Sequence, residues 1–480
     1  MTSLPTRHQA ASSRLVGPSF PPNQVASGQG VLSEFRTMTE QMRTSRLAHE
    51  RAKKVMPGGN TRSSVYEAPF PLYQKSGKGA YVIDVDDNAY LDFQNNFTAL
   101  IHGYDHPDVN SALITQIGRG LSFANPTESE IDLAEILCER VPFFEQVRFT
   151  NTGSEAVMMA IKAARALTGR PQIAKCEGAY HGNYDYVEAS FDPVPADWQT
   201  GTAEAQAYNH GTPASVLAEV VVIPFNNVDA TERVLERHKQ TLACIVIDPL
   251  PSRAGLVPVD HTYLHFLREF TARHGILLIS DEVLSFRLSY RGAIATYRVE
   301  PDLCTFGKIV GGGLPIGAVA GRAETMRVFD PSRGKPPVSQ AGTFTANPLS
   351  MVAGAAAMRA LTEVEIERLN ALGAQARSEL GATLAASDIG GHVTGAGSLF
   401  CVFVGDGEVK DYASAYHAWH QRQRLSRLIS LCRNEGILLS RIGLGALSTP
   451  MATAEIATLA VRFGRALAKL AATTPSAAVG

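Results

Sequence analysis

Gln146-Val-Arg-Phe-Thr-Asn-Thr-Gly-Ser-Glu-Ala156 runs from a β-rich segment, QVRFT (146–150), straight into a helix. Val157, Met158, Ile161, Ala164 and Leu167 give the helical stretch 154–167 an apolar face, and Gly169 ends it. Gly153 lets the backbone turn tightly, Ser154 offers a hydroxyl, and the N–H groups of the first turn have no intrahelical acceptor. Such a helix start binds anions, phosphate above all. A plain N-cap, with Ser154 and Glu155 favouring the first turn, accounts for the same residues without a ligand.

The rhythm of strand then helix continues on both sides. YVIDV (81–85), QIAKC (172–176), VVVIPF (220–225), ACIVID (243–248), ILLIS (276–280), LCTF (303–306) and AVAG (318–321) read as strands, with 229–240 and 260–274 among the helices. That succession predicts an α/β fold whose mostly parallel sheet is covered by helices on both faces. From about residue 346 the pattern changes to long helices (346–386 and 411–435), a few strands and a final helix near 453–471. The expected organisation is a large domain over 81–345 and a smaller α+β domain over 346–472, which the N-terminal segment 36–80 joins. Residues 1–30 contain no Asp or Glu and are rich in Ser, Pro, Gly and Gln, so 1–35 is expected to be a disordered tail. Residues 473–480 read as equally loose. Arg7, Arg14 and nearby serines also fit a transit peptide, but no amphipathic Arg-rich helix is visible and a plain extension is expected.

Composition sets outer limits. The chain has 480 residues, 45% apolar and 19% charged, with a formal net charge of −2. Its length suggests two or three domains, and its charge leaves no footprint for nucleic acid or an acidic membrane. Apolar runs such as 242–247 and 276–280 are strand-sized, well short of the roughly 20 residues of a membrane helix. Cysteines 138, 176, 244, 304, 401 and 432 form no CxxC pair and mostly sit in apolar runs. They read as buried thiols of a reducing, cytoplasmic compartment, with no disulfide frame and no metal site.

Four more segments carry chemistry. Asp281, in Ser280-Asp-Glu-Val283, ends the strand ILLIS, where ligands of open α/β sheets sit. A buried carboxylate there needs a cation, such as a protonated pyridine nitrogen; a helix cap or structural salt bridge is the alternative. Lys308, in Thr305-Phe-Gly-Lys-Ile-Val-Gly-Gly-Gly313, follows a strand and precedes three glycines, where backbone must approach something closely. A lysine in a dry pocket becomes a usable amine nucleophile, although most lysines snorkel to the surface. Tyr180, in Ala179-Tyr-His-Gly182, could stack on a flat heteroaromatic ligand or be a core tyrosine. Gly342-Thr-Phe-Thr-Ala-Asn347 supplies hydroxyls and backbone donors before a helix, or simply caps it.

In this order and spacing the five segments resemble the class III aminotransferases, pyridoxal 5′-phosphate (PLP) enzymes of fold type I. The likeness is to the branch of glutamate-1-semialdehyde 2,1-aminomutase and the β-amino-acid aminotransferases, and it runs from about residue 45 to 465. It implies that Lys308 holds PLP as a Schiff base and then shuttles a proton between the substrate carbon and the cofactor. Asp281 would pair with the pyridinium nitrogen, Tyr180 would stack on one face of the ring, and Val283 would lie on the other. Gly153 and Ser154 would bind the phosphate, as would Thr343 of the partner subunit, which implies a homodimer with its site at the interface. The implied activity moves an amino group from an amino acid or amine, a β- or ω-amino acid among them, to an oxo acid by a ping-pong route.

Departures from the resemblance bear on the substrate. Aminomutases of this branch carry a glutamate facing the cofactor in a C-terminal segment; the corresponding stretch here, 436–454, has no acidic residue, and Arg441 is available instead. The segment 57–73 is similar to the β-amino-acid aminotransferases, where the arginine matching Arg62 helps hold a substrate carboxylate, a task for which a planar guanidinium is suited. Arg253 ends Asp248-Pro-Leu-Pro-Ser-Arg253, where relatives tend to have Glu-Pro and then a small or amide residue. It would point near the cofactor's ring hydroxyl or a substrate acid. The Pro-, Ala-, Thr- and Gly-rich stretch 191–215 reads as a lid or as a passive insertion. Three alternatives stand beside the aminotransferase: intramolecular transfer of the aminomutase type, a catalytically inert PLP-binding protein, and an unrelated nucleotide or sugar-phosphate enzyme.

Overall fold

The structure, a computed structural model, describes residues 42–199, 202–420 and 422–472. The expected tails over 1–35 and 473–480 lie outside the described residues. Strands β1 (Gln74–Lys78), β2 (Tyr81–Asp84) and β3 (Ala89–Asp92) form an antiparallel meander. The central sheet contains β4 (Gln146–Thr150), β5 (Gln172–Cys176), β6 (Val220–Ile223), β7 (Leu242–Ile247), β8 (Leu277–Asp281), β9 (Leu303–Gly307) and β10 (Gly317–Gly321). Its order is β4-β10-β9-β8-β7-β5-β6, and β10 alone runs against its neighbours, β4 and β9. A third sheet contains β11 (Gly391–Thr394), β12 (Leu399–Val404) and, after the short β13 (Ile437–Leu438), β14 (Leu444–Ala446). β13 pairs with β3, so the C-terminal region completes the N-terminal meander.

The mostly parallel sheet is therefore present, and its burial explains its sequence. Val220 and Val222 of β6 join the apolar cluster containing Val157 and Ile161, whereas Val221 and Ile223 join the one containing Leu264 and Phe270. Alternate side chains thus bury into opposite faces, which is why β6 and β7 are apolar throughout. One expectation is corrected. YVIDV is a strand, but it belongs to the antiparallel meander and not to the parallel layer, because the chain returns through β3 after a turn instead of crossing over by a helix.

The helix Gly153–Thr168 is capped by Thr152, whose hydroxyl accepts the Glu155 N–H at 3.1 Å, while the Glu155 carboxylate accepts the Asn151 N–H at 2.8 Å. The cap is thus Thr152, and the Ser154 hydroxyl is left for other partners. Val157, Ile161 and Ala164 are buried, Met158 is half-buried and Leu167 is exposed; burial of Val157 and Ile161 contributes about 1.5–3 kcal/mol each. Gly169, with φ of 69°, ends the helix as expected. The run 346–386 is two helices, Pro348–Ala360 and Glu363–Ala385, because Thr362 accepts the Glu365 N–H at 3.2 Å and starts a new one. The run 411–435 contains the helices Tyr412–His420 and Arg422–Asn434, with residue 421 outside the described residues. Among the described residues no helix is long and apolar enough to cross a membrane, and no cluster of three His, Cys, Asp or Glu could hold a metal. All six cysteines are free; five are buried and Cys138 is half-buried.

Candidate active site

β8 and β9 are parallel neighbours, so their carboxyl ends lie on one edge of the sheet. Asp281 is the last residue of β8, and Lys308 follows β9 directly. β4 also runs parallel to β9, since both oppose β10, and the turn into the helix at Gly153 therefore opens on the same edge. Tyr180 follows the end of β5, and Asp248 follows β7. The topology thus gathers Gly153, Ser154, Tyr180, Asp281 and Lys308 from positions up to 155 residues apart.

Asp281 is buried and held by three donors. Its Oδ2 accepts from His181 Nδ1 at 2.7 Å; its Oδ1 accepts from Thr305 Oγ1 at 3.0 Å and from the Val283 N–H at 3.1 Å. A carboxylate has about four acceptor positions, so one remains for a further cationic N–H. His181 is itself buried, and its Nε2 has no hydrogen-bond partner. Sequence reasoning quoted His181 only as a neighbour of Tyr180 and did not single out the Thr305 hydroxyl.

Lys308 is partly exposed and sits at φ of +48°, a left-handed conformation that costs a non-glycine residue about 1–2 kcal/mol. Burial lowers the pKa of its ammonium; Asp248 and Asp281 oppose that effect. Asp248 is buried with its carboxylate accepting the Leu250 N–H at 2.8 Å. Burial, reinforced by repulsion from Asp281, pushes its carboxyl well above the usual range.

Gly153 approaches Val283 so closely that a Cβ on it would lie 2.9 Å from Val283 Cγ2. Ser154 Oγ accepts the Asn183 N–H at 3.1 Å, and a Cβ on Gly182 would collide with that hydroxyl. The loop carrying Tyr180 is thereby docked on the helix start, with the tyrosine ring half-exposed and its hydroxyl donating to Asn183 Oδ1 at 3.3 Å. Thr343 is exposed, in the turn before the helix Pro348–Ala360. Gly153→Ala should destabilise the fold by about 1–3 kcal/mol, because β-branched Val283 has little rotamer freedom with which to yield. Denaturant unfolding of the apoprotein measures that loss, and a parallel titration should show weaker cofactor binding.

A cleft of about 930 Å³ lies beside this edge, reached by Gly313 of the Lys308 loop. Lys308 and Asp281 do not line it; Arg62, Arg433 and Arg441 do. Its one acidic lining residue among the described residues, Glu67, is paired with Arg433 at 2.6 Å. Arg62 lies 5.4 Å over the Phe97 ring and donates to Asn96 Oδ1 at 3.4 Å; Arg441 donates to the Tyr66 carbonyl at 2.8 Å. Asn96 and Phe97 belong to a left-handed turn, Asn95–Thr98, with four consecutive positive φ values of 46–73° and no glycine. The buried Arg287 holds that turn, donating to the Thr98 carbonyl at 3.2 Å and to Ser398 Oγ at 2.9 Å. Arg253 lies outside this cleft, as Lys308 and Asp281 do. Its guanidinium pairs with Asp192 and lies 5.1 Å from the Phe191 ring centroid.

An amine and an anchored carboxylate at the ends of adjacent parallel strands, facing a helix start with unused N–H groups, suit an aldehyde cofactor with a cationic ring nitrogen and a phosphate tail. The enzyme is PLP-dependent and of fold type I. The chain belongs to the class III aminotransferase family, whose pattern it matches over residues 63–457. It is 39% identical over 382 residues to glutamate-1-semialdehyde 2,1-aminomutase 2 of Lachnoclostridium phytofermentans, covering 78% of this chain and 87% of that protein. Among solved structures, an omega-transaminase from Sphaerobacter thermophilus is 47% identical with a TM-score of 0.86, covering 89% of this chain and 98% of that one. A beta-phenylalanine aminotransferase from Variovorax paradoxus is 31% identical with a TM-score of 0.80, covering 91% and 96% respectively. The residues here fit PLP: Asp281 keeps one acceptor position open, and the Gly153–Ser154 amides begin a helix without intrahelical acceptors.

Proposed function

We propose that this protein transfers an amino group from an amino acid or amine, with β- and ω-amino acids as the preferred donors, to an oxo acid by a ping-pong route. The observation that carries this reading is the arginine-rich cleft beside the Lys308 loop, whose single acid is already neutralised. Such a cleft suits a donor or acceptor carboxylate held at a distance from the reacting amine.

When bound, PLP supplies an electron sink for negative charge at the carbon bearing the amino group. Lys308 Nζ, its proton loosened by burial, moves the proton at that carbon. Asp281 holds the ring nitrogen in its cationic form, and His181 keeps the carboxylate oriented. Tyr180 and Val283 would hold the ring between them, and the Gly153 and Ser154 amides would bind the phosphate. Arg62 and Arg441 orient the substrate carboxylate.

Thr343 completes the phosphate site of a second copy in a homodimer. Support for that assembly comes from Ile114, Ile117, Leu121, Phe123 and Phe344, large apolar side chains exposed on this chain. The Asn347 side chain ties the turn that carries Phe344 and Thr343 to the Leu121 carbonyl at 3.1 Å. Free cysteines support a reducing compartment, with the cytoplasm as the proposed location.

Intramolecular transfer is the second reading, favoured by the name of the Lachnoclostridium relative. A donor screen on the holoenzyme separates the two, run with and without 2-oxoglutarate or pyruvate and repeated on Arg62→Ala. No turnover is expected without an acceptor; turnover of any donor in its absence sinks the proposal. Arg62→Ala should lower kcat/KM for carboxylate-bearing donors by roughly ten- to a hundred-fold, the worth of a lost charge-assisted hydrogen bond, and leave simple amines near the wild-type value.

A further inference from the structure

The segment Ala189-Ser-Phe-Asp-Pro-Val-Pro-Ala-Asp-Trp198 has no periodic apolar pattern, yet it is bonded along its length to β5 and its neighbours. Lys175, buried at 0% exposure on β5, donates from Nζ to the Ala189 carbonyl at 2.8 Å. The Ser190 N–H donates to the Gln206 carbonyl at 2.7 Å. Buried Glu177 accepts the Ala196 N–H at 2.8 Å and Trp198 Nε1 at 3.2 Å. Tyr412 donates its hydroxyl to the Pro193 carbonyl at 2.8 Å. These bonds, those of Lys175 and Tyr412 buried, hold 189–198 as a wall.

Arg253 closes the wall. Its guanidinium pairs with Asp192, with Cζ 4.8 Å from the Trp419 ring centroid and 5.1 Å from that of Phe191. The Phe191 ring also lies 5.2 Å from Tyr180 at 57° and 4.8 Å from Tyr208 at 87°. Phe191 therefore touches both the Arg253–Asp192 pair and Tyr180.

We infer that Arg253 is a positioning residue: locked to Asp192, it seats Phe191 behind Tyr180 and so fixes the angle at which Tyr180 meets the cofactor ring. This inference rests on the proposed placement of Tyr180 against that ring. A planar guanidinium suits the task, since one face stacks on aromatic rings while the fork pairs with a carboxylate. The same engagement leaves Arg253 unsuited to capturing a substrate acid.

The chain's two tryptophans, Trp198 and Trp419, both sit on this wall, so it can be followed without cofactor or turnover. In the apoprotein, Arg253→Met and Asp192→Asn should each red-shift tryptophan emission and increase acrylamide quenching. In the holoenzyme, both should weaken the visible circular-dichroism band of bound PLP. Both should lower kcat roughly tenfold, as for a slightly misplaced reacting group, and equally for donors with and without a carboxylate, with KM little changed. The double variant should be no worse than either single one, because the two residues act as one unit. Phe191→Leu keeps the ion pair and should reproduce the dichroism and kcat changes; it also decides the matter if Arg253→Met does not fold. The inference is overturned if Arg253→Met raises KM for carboxylate donors alone while Asp192→Asn is silent. It is equally overturned if Phe191→Leu leaves the PLP band and kcat unchanged. If the holoenzyme transfers no amino group to any acceptor, the proposed function fails, whereas fluorescence and dichroism still decide the role of Arg253.

Discussion

Lys308→Ala is expected to lower kcat by roughly 10³-fold or more, removing both the covalent hold on the cofactor and the general acid–base step, which alone is worth about 10²–10⁴-fold. Two features make the comparison clean. Alanine at this position inherits the φ of +48°, so the backbone cost is unchanged and only the amine is lost. No hydrogen bond of the amine to a described residue is lost with it, although the carboxylates of Asp248 and Asp281 lose a nearby cation. Borohydride reduction of the wild-type holoenzyme should fix one cofactor on the peptide containing Lys308, found by mass spectrometry, and none in the variant. A labelled peptide from any other lysine would displace Lys308 from the centre of the mechanism. Because burial lowers the pKa of Nζ, the free amine should persist to lower pH than in an ordinary lysine, and activity should fall as acid protonates it.

Asp281→Asn is expected to cost about 10²–10³-fold in kcat, the scale of losing one preorganised electrostatic contact. The amide fits the same space but carries no charge to balance a cationic ring nitrogen. It also upsets the local hydrogen bonding. With its oxygen turned to His181 Nδ1, its NH₂ faces the Val283 N–H, and a donor meets a donor. That conflict should destabilise the folded protein by about 1–3 kcal/mol, readable as a lower denaturant midpoint. Stopped-flow measurement of the donor half-reaction isolates the chemical step; a rate within threefold of wild type would remove Asp281 from its assigned role.

The central sheet was readable because its strands are short β-rich runs, and β6 and β7, buried on both faces, show no polar alternation. QVRFT and QIAKC match β4 and β5 residue for residue. Lys308 and Asp281 were readable because each ends such a run. The arrangement around them was less so. His181 meets Asp281 across 100 positions, and nothing local marks which carboxylate an isolated histidine will find. Arg253 and Asp192 are 61 positions apart, so nothing local in the sequence announces their pairing. YVIDV has strand chemistry, but the sheet it joins depends on β3 and β13, the latter more than 350 residues away. The left-handed turn Asn95–Thr98 contains no glycine to announce it; contacts from Arg287 and Ala446 hold what local propensity disfavours. The division at Thr362 was missed although its spacing, Thr362 to Glu365, is a recognisable capping pattern.

The one reversed strand of the central sheet has a consequence for synthesis. β4 bonds within that sheet only to β10, so the strand leading into the proposed phosphate-binding turn has no lateral partner until the chain has been made as far as Gly321. Over those 170 or so residues the ribosome releases β5 to β9, which can pair in succession while the nascent edge at Gln146–Thr150 waits. Closure of that long loop is slow relative to neighbouring contacts. The turn at Gly153, the proposed phosphate anchor, is accordingly among the last parts of the sheet to take shape, and on that proposal a growing chain cannot hold the coenzyme there before its large sheet is whole.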